Sequence, residues 1–151
     1  MARLPQEYSS DSRKQSLHPS KALLTLLQDN RLDLQRVINV HKLLRYALTS
    51  SEVAVESEKE RLQVYLNHYH QALPLGESLP TTELQPADDL ALLAGNTWIN
   101  LWDLTGDTNY LFSAAAFLEF VVTRSKQSFL SRLLLIRIYR LIGKILYSTH
   151  Q

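Results

Sequence analysis

The chain has 151 residues, a net charge of +1 and a hydrophobic fraction of 45%, which suit one globular domain with one core. This charge excludes a general attraction of the whole chain to nucleic acid or membrane, and the lack of cysteine excludes disulfides, thiolate chemistry and cysteine-based zinc sites. The polar start has no secretory signal and no run approaches the ~18 apolar residues of a membrane span, so we expect a soluble intracellular protein.

The first half of the chain is predicted to hold a polar lead-in followed by amphipathic helices. Residues 1–19 are Ser-rich and have no apolar period, which is typical of disorder. Residues 20–73 show the three- and four-residue spacing of helical faces. We expect a short helix capped by Ser20, a longer one capped by Asp33 and a further one with apolar residues from Leu62 onward.

A Glu-rich stretch at 50–61 separates the last two of these helices. It is either an exposed helix or a loop. Its acidic residues are expected to face solvent, and they are Glu52, Glu56, Glu58 and Glu60.

A Pro-rich linker is predicted at 74–86, because three prolines and one glycine fall within 13 residues. Three more helices are predicted at 87–147. The first is expected to end at Gly106, since glycine reaches the left-handed conformation of a helix end at low cost. The second contains Ala114–Ala116, small residues that let a neighbouring helix approach, and the third begins near Phe129 and is apolar over most of its circumference.

Two similar motifs suggest a repeat. Trp102 stands four residues before Gly106, and Tyr139 stands four residues before Gly143. This pattern resembles a tetratricopeptide repeat, in which the aromatic residue fills space between paired helices and the glycine permits a tight turn. The predicted fold class is therefore all-α, with antiparallel helix pairs in a tetratricopeptide-like right-handed α-solenoid. The alternative is an unrelated helical bundle with similar turns.

Candidate catalytic and metal-binding residues have structural explanations. His68 and His70 cannot easily share an ion, because residues two apart on a helix point in opposite directions, so both are expected on the surface. His41 lies on an apolar face and is expected to be a hydrogen-bonded, partly buried histidine. Asp88 and Asp89 fall in the first turn of a helix, where carboxylates interact favourably with the helix dipole. We therefore predict no catalytic residue, metal or cofactor site.

A basic stripe is the main surface feature of the last helix. Residues 121–151 contain six basic and no acidic side chains, and Arg137, Arg140 and Lys144 share one face through three- and four-residue spacing. The stripe is either a solvated helix edge that pairs with acidic neighbours, or a contact surface for RNA or an acidic partner. Few aromatic residues are interleaved with it, so specific binding of single-stranded RNA is not expected.

Several segments resemble one family over roughly residues 30–143. They are ELQPADDLALLA (83–94), LW (101–102), TGD (105–107), LE (118–119), KQSF (126–129), LLLIRIYRLIG (133–143) and, upstream, VINVHKLLR (37–45). These segments look like the non-catalytic subunit of the N-terminal acetyltransferase B complex. Members of that family are several times longer than 151 residues, so the resemblance implies a fragment.

The resemblance implies a function without an active site. Such subunits are helical solenoids that wrap a catalytic acetyltransferase subunit and help to dock it near the ribosomal exit tunnel. The complex acetylates N-termini that begin with Met-Asp, Met-Glu, Met-Asn or Met-Gln. The expected partners are thus the catalytic N-acetyltransferase subunit and the ribosome in the cytoplasm, with no DNA and no membrane. The alternatives are an unrelated tetratricopeptide-like adaptor and, with little support, an enzyme with a small helical active site.

Overall fold

A computed structural model describes residues 19–49, 52–80 and 82–148, so most of the lead-in predicted at 1–19 lies outside the described residues. Helices dominate the described part, in the order α1 (Pro19–Ala47), α2 (Val55–Ala72), α3 (Asp88–Thr105), α4 (Asn109–Arg124) and α5 (Phe129–Ser148). A short 3₁₀ helix, Leu73–Gly76, continues directly from α2. None of the helices in these ranges combines the length and apolarity needed to cross a membrane.

The first helix is continuous where two helices were predicted. Ser20 follows its first residue, Pro19, and Asp33 lies near its middle, so both predicted capping roles were wrong. The Asp33 carboxylate instead accepts a hydrogen bond of 2.9 Å from the Arg36 guanidinium. The chain has neither glycine nor proline between Ser20 and Ala47, so nothing in this stretch interrupts the helical backbone.

The Glu-rich stretch divides between a loop and a helix. Ala54 occupies the N-cap position of α2, and its backbone N–H donates a hydrogen bond of 3.2 Å to the Ser57 hydroxyl. The helix then buries Tyr65 and Tyr69, as the apolar spacing predicts. It also buries Glu58 completely, which contradicts the expectation that every glutamate in the stretch faces solvent.

The core is built around α3, because α2, α4 and α5 all pack against it. Buried residues lie on most sides of α3, because Leu90, Ala94 and Leu101 are buried and so are Ala91, Gly95 and Ile99. A Cβ atom on Gly95 would lie 2.7 Å from Leu134 Cδ2 and 3.3 Å from Leu118 Cδ1. The missing side chain therefore lets α4 and α5 approach α3 closely.

The turn after α3 has the predicted geometry. Gly106 adopts a φ of 72°, and its backbone N–H donates a hydrogen bond of 2.7 Å to the Trp102 carbonyl. The Asp107 carboxylate then accepts one of 2.9 Å from the Asn109 N–H at the start of α4. A connection this short reverses the chain direction, so α3 and α4 form an antiparallel pair. The predicted fold class, an all-α, solenoid-like succession of helix pairs, is confirmed.

The predicted turn at Gly143 was wrong. Gly143 lies inside α5, which continues to Ser148, and no other atom lies within 4 Å of where its Cβ would be. A single glycine costs a helix only about 1 kcal/mol relative to alanine, and that cost does not end a helix whose neighbouring residues favour helix and pack well.

The segment predicted as a linker at 74–86 packs against the helices around it. Gly76 is buried against Gln85. The Arg31 guanidinium on α1 donates a hydrogen bond of 3.1 Å to the Leu75 carbonyl. The division into a helical segment at 20–73, this linker and repeats at 87–147 stays a prediction.

A candidate interaction surface beside the last helix

The last helix has a buried face and an exposed face. Ser131, Leu134 and Ile138 are buried against α3 and α4. Residues spaced by three and four positions on the other side are exposed, and these are Phe129, Leu133, Ile136, Arg137, Arg140, Lys144 and Tyr147. An apolar helix face at 45–72% exposure is unusual for an isolated domain, so this side of α5 is a candidate interaction surface.

A groove runs between α3 and α5 next to this exposed side. We call it the α3–α5 groove, and it is lined by Leu92, Asn96, Leu130, Leu133, Leu134 and Arg137. It is open to solvent and encloses about 370 Å³. Leu92 and Leu130 also line a second cavity of about 410 Å³ at the start of both helices, so the two spaces are neighbours. The groove is apolar along most of its length and becomes basic at Arg137.

The basic stripe lies at that end of the groove and is not neutralised. Arg137, Arg140 and Lys144 are exposed and make no ion pair or hydrogen bond within the part of the chain that the structure describes. The last acidic residue before α5 is Glu119, which accepts a hydrogen bond from the Tyr139 hydroxyl. That bond raises the pKa of Tyr139 above its ordinary value.

The predicted repeat positions differ from each other in the structure. Trp102 is half-buried at the end of α3, whereas Tyr139 is 45% exposed in the middle of α5. Tyr139 therefore does not fill the space between two described helices, as the repeat pattern had suggested. The two glycines differ as well, since only Gly106 forms a turn. The repeat relationship between the two motifs stays a prediction.

A buried charge cluster centred on Glu58 was missed at the sequence level. Its carboxylate accepts hydrogen bonds from Arg45 at 3.1 Å, Arg61 at 2.6 Å and Asn100 at 3.3 Å. These groups lie on α1, α2 and α3, so the cluster joins three helices. One sequence signal pointed to it: Glu58 precedes the apolar Tyr65 by seven residues and thus shares its helix face.

A histidine pair joins α1 to α2. His41 Nε2 and His68 Nδ1 lie 3.1 Å apart, and the His41 ring meets the edge of Tyr65 at 5.1 Å between centroids. Burial, followed by the proximity of His68, lowers the pKa of His41 below 6.5. The expectation for His41 is confirmed, whereas His68 is half-buried in the pair rather than on the surface; His70 is exposed. In the described ranges, no three His, Cys, Asp or Glu side chains are grouped to hold a metal ion.

The two aspartates of α3 make internal contacts. The Asp88 carboxylate accepts hydrogen bonds of 2.6 Å from the Ser125 hydroxyl and 3.2 Å from the Gln85 N–H. Burial raises the pKa of Asp88, and the Ser125 hydrogen bond opposes that rise. Asp89 forms an ion pair of 2.9 Å with Lys42 on α1. Both residues lie in the first helical turn, as predicted, and they tie α3 to neighbouring elements.

The chain is similar to known proteins over most of its length. Residues 6–150 match the sequence profile of the family described as "N-acetyltransferase B complex (NatB) non catalytic subunit". No solved structure matches the chain.

Three relatives are each matched over only a small part of their own length. The human protein "N-alpha-acetyltransferase 25, NatB auxiliary subunit" is 37% identical over 75 residues, which are 50% of this chain and 8% of that protein. Its rat counterpart is 30% identical over 125 residues, 83% of this chain and 13% of the rat protein. The "Phagocyte signaling-impaired protein" of Drosophila pseudoobscura pseudoobscura is 33% identical over 81 residues, 54% of this chain and 8% of that protein.

The chain thus spans only a small part of the length of these relatives, yet the family profile covers nearly all of the chain itself. The chain therefore belongs to the family of non-catalytic subunits of the N-terminal acetyltransferase B complex.

Proposed function

We propose that the chain is a segment of a scaffold that binds the catalytic acetyltransferase subunit of the N-terminal acetyltransferase B complex. In this role it supports co-translational acetylation of protein N-termini without taking part in the chemistry. The observation that carries the proposal is the family match over residues 6–150. The names of the human and rat relatives describe auxiliary subunits of that complex, which supports the same role.

The buried polar groups make hydrogen bonds and ion pairs within the chain, and this favours a scaffold over an enzyme. Glu58 binds two arginines, His41 binds His68, and Asp88 accepts hydrogen bonds from Ser125 and Gln85. Each of these groups is occupied in holding neighbouring elements together. The exposed surface beside α5, by contrast, is available to a partner protein.

Contact with the ribosome in the cytoplasm is the second part of the proposal. The supporting feature is the basic stripe of Arg137, Arg140 and Lys144, which has no ion-pair partner among the described residues and would pair with acidic side chains of a ribosomal protein. Contacts between exposed charges of this kind weaken as salt concentration rises.

Affinity purification tests this proposal. The tagged chain is expressed in the cells from which it comes, and its partners are identified by mass spectrometry. The expected result is recovery of a small N-acetyltransferase together with ribosomal proteins. The control is the variant Leu118→Asp, which places a carboxylate at a fully buried position and should unfold the chain.

A chimera makes the test decisive. The matching segment of the human relative is replaced by this chain, and assembly with the human catalytic subunit is measured by co-purification. Retained assembly supports the scaffold role even if the isolated chain binds weakly. If neither the chain nor the chimera recovers an acetyltransferase, the proposal is overturned and the general tetratricopeptide-like adaptor takes its place.

A further inference from the structure

We propose that the α3–α5 groove, with the basic stripe at its end, is a docking site for an acidic amphipathic helix of a partner protein. The inference rests on the proposed scaffold role and deepens it, because it names the surface and the chemistry of the segment that the surface holds.

The apolar part of the groove matches one face of a helix. Leu92 on α3 and Leu130 and Leu133 on α5 line its floor and walls. Leu130 is 59% exposed and Leu133 is 45% exposed, so both offer apolar area that a partner would remove from water. A helix that lies in such a groove inserts side chains spaced by three and four residues.

The charges beside the groove select an acidic partner. Arg137 lines the groove, and Arg140 and Lys144 follow it at three- and four-residue spacing. None of the three has an ion-pair partner among the described residues. Glutamates or aspartates on the flank of the docking helix would pair with them. From Leu130 to Lys144 the helix rises by about 21 Å, so the complementary segment needs about four turns.

The same features disfavour RNA. A surface for nucleic acid is typically basic and polar with aromatic rings for stacking. Phe129, Tyr139 and Tyr147 are exposed on α5, but none of these rings lines the groove. The apolar lining of the groove is aliphatic and cannot stack on bases; it consists of Leu92, Leu130, Leu133 and Leu134. A helix that combines leucines with carboxylates satisfies both halves of the surface, whereas RNA would leave the apolar half exposed.

A second copy of this chain fits less well. Two α5 helices would bring like charges together, since α5 contains four basic and no acidic residues. The helices richest in carboxylates are α2 and α3, with three each, but their apolar side chains, such as Tyr65, Tyr69 and Leu101, are already buried in the core. No described helix therefore offers both a free apolar stripe and a row of carboxylates.

Fluorescence anisotropy with synthetic peptides tests the proposal on the intact chain. The probe is a labelled helix of about 18 residues with leucines on one face and flanking glutamates, a length that spans the groove and stripe. The comparison probes are the same peptide with lysines for glutamates and a short RNA duplex. We expect the acidic peptide to bind about tenfold more tightly than the lysine peptide and to weaken with salt.

Two charge-reversal variants locate the binding site. Arg137→Glu/Arg140→Glu/Lys144→Glu is expected to weaken binding of the acidic peptide about tenfold, because three ion pairs are lost. The matched control reverses three exposed basic residues elsewhere, in Arg36→Glu/Lys59→Glu/Lys126→Glu, so that net charge is the same. The control should retain binding within about twofold. Leu133→Ser tests the apolar half of the site and should also weaken binding, and circular dichroism checks that each variant is folded.

Three outcomes overturn the proposal. They are equal losses of peptide affinity in the two triple variants, tighter binding of the RNA duplex than of the acidic peptide, or a homodimer in sedimentation that Leu133→Ser dissociates.

The results of this test can be distinguished from those of the test of the scaffold role. Peptide binding at this site without recovery of an acetyltransferase supports the docking site and contradicts the scaffold role. If the Arg137 triple variant recovers as much acetyltransferase as the natural chain does, and no peptide binds, the scaffold role is supported and the docking site is overturned.

Discussion

At the scale of single residues, Glu58 shows how one carboxylate can hold several helices together. It is completely buried, and its two oxygens accept hydrogen bonds from Arg45, Arg61 and Asn100. If this carboxylate is removed, the positive charges of Arg45 and Arg61 stay close together without the negative charge that neutralises them. The neighbouring Glu56 has a side chain that is 81% exposed and, among the described residues, pairs with Lys59 alone, so it is a natural control.

Glu58→Ala is expected to lower the free energy of unfolding by about 3 kcal/mol, because it breaks a buried ion-pair cluster. Glu56→Ala should cost less than about 1 kcal/mol, as is usual for exposed pairs. Urea denaturation followed by circular dichroism measures both values. Equal and small losses in the two variants would show that the cluster around Glu58 does not stabilise the fold.

His41 makes stability depend on pH. Its pKa is lowered in the folded state, chiefly by burial, so the folded state binds fewer protons than the unfolded state just below pH 6.5. The charged and titratable groups around it are His68 on α2 and Arg45 one turn further along α1. The contribution of His41 to stability is therefore present above pH 6.5 and is lost as pH falls through the folded-state pKa.

We expect the free energy of unfolding to fall between pH of about 7.5 and about 5.5 more steeply in the natural chain than in His41→Gln. Asp88 is present in both proteins, so the difference between their pH profiles reports the effect of His41 alone. The raised pKa of Asp88 has the opposite effect, since protonation of this buried carboxyl as pH falls toward 3.8 favours the folded state. Identical pH profiles for the two proteins would contradict this role of His41.

At the scale of elements, two glycines have different structural roles: one forms a turn, and the other occupies an ordinary helical position. Gly106 has a positive φ and ends α3, whereas Gly143 lies in a regular part of α5 with free space around it. The two motifs look alike in sequence because each has an aromatic residue four positions before the glycine. The residues after the glycine act differently: Asp107 accepts a hydrogen bond that starts a new helix, while Lys144 and Ile145 continue the old one.

The two glycines should respond oppositely to alanine. Gly143→Ala is expected to raise the free energy of unfolding by about 0.5–1 kcal/mol, since alanine favours helix and meets no neighbour. Gly106→Ala should lower it by about 1 kcal/mol, because a Cβ disfavours the left-handed conformation. Thermal denaturation measures both. A loss of stability in Gly143→Ala would indicate that α5 bends or ends there in solution.

At the scale of the whole molecule, stability is distributed unevenly. The central α3 packs against α2, α4 and α5. In the described part of α1, Ile38 is the only fully buried apolar side chain, and polar contacts supply much of the attachment. These contacts are Arg31 to Leu75, Lys42 to Asp89, Arg45 to Glu58 and His41 to His68.

Amide hydrogen exchange should reflect this difference. We expect the backbone of residues 30–47 in α1 to exchange faster than that of α3, because local opening of α1 exposes little apolar surface. Mass spectrometry of peptides from the two helices measures the rates. The variant Lys42→Ala should speed exchange in α1 while leaving α3 unchanged. Equal protection of the two helices would mean that α1 opens only when the whole molecule unfolds.

The sequence by itself determined the all-α class, the approximate positions of α3 and α4, the turn at Gly106 and the family of the chain. Helical periodicity and a glycine at a helix end are local signals, so a linear sequence carries them in full. In α4, for example, the buried residues Leu111, Ala114, Leu118 and Val121 follow the three- and four-residue spacing of one helix face.

Only the tertiary structure decided which apolar faces are covered. The strongly apolar α5 packs against α3 and α4, yet its outer side is exposed, and α3 is the helix that is surrounded. The structure also decided that Glu58 is buried and that His41 meets His68. The physical reason is that burial and ion pairing join residues far apart in sequence: Asn100 reaches Glu58 from 42 positions away, and no local pattern contains that contact.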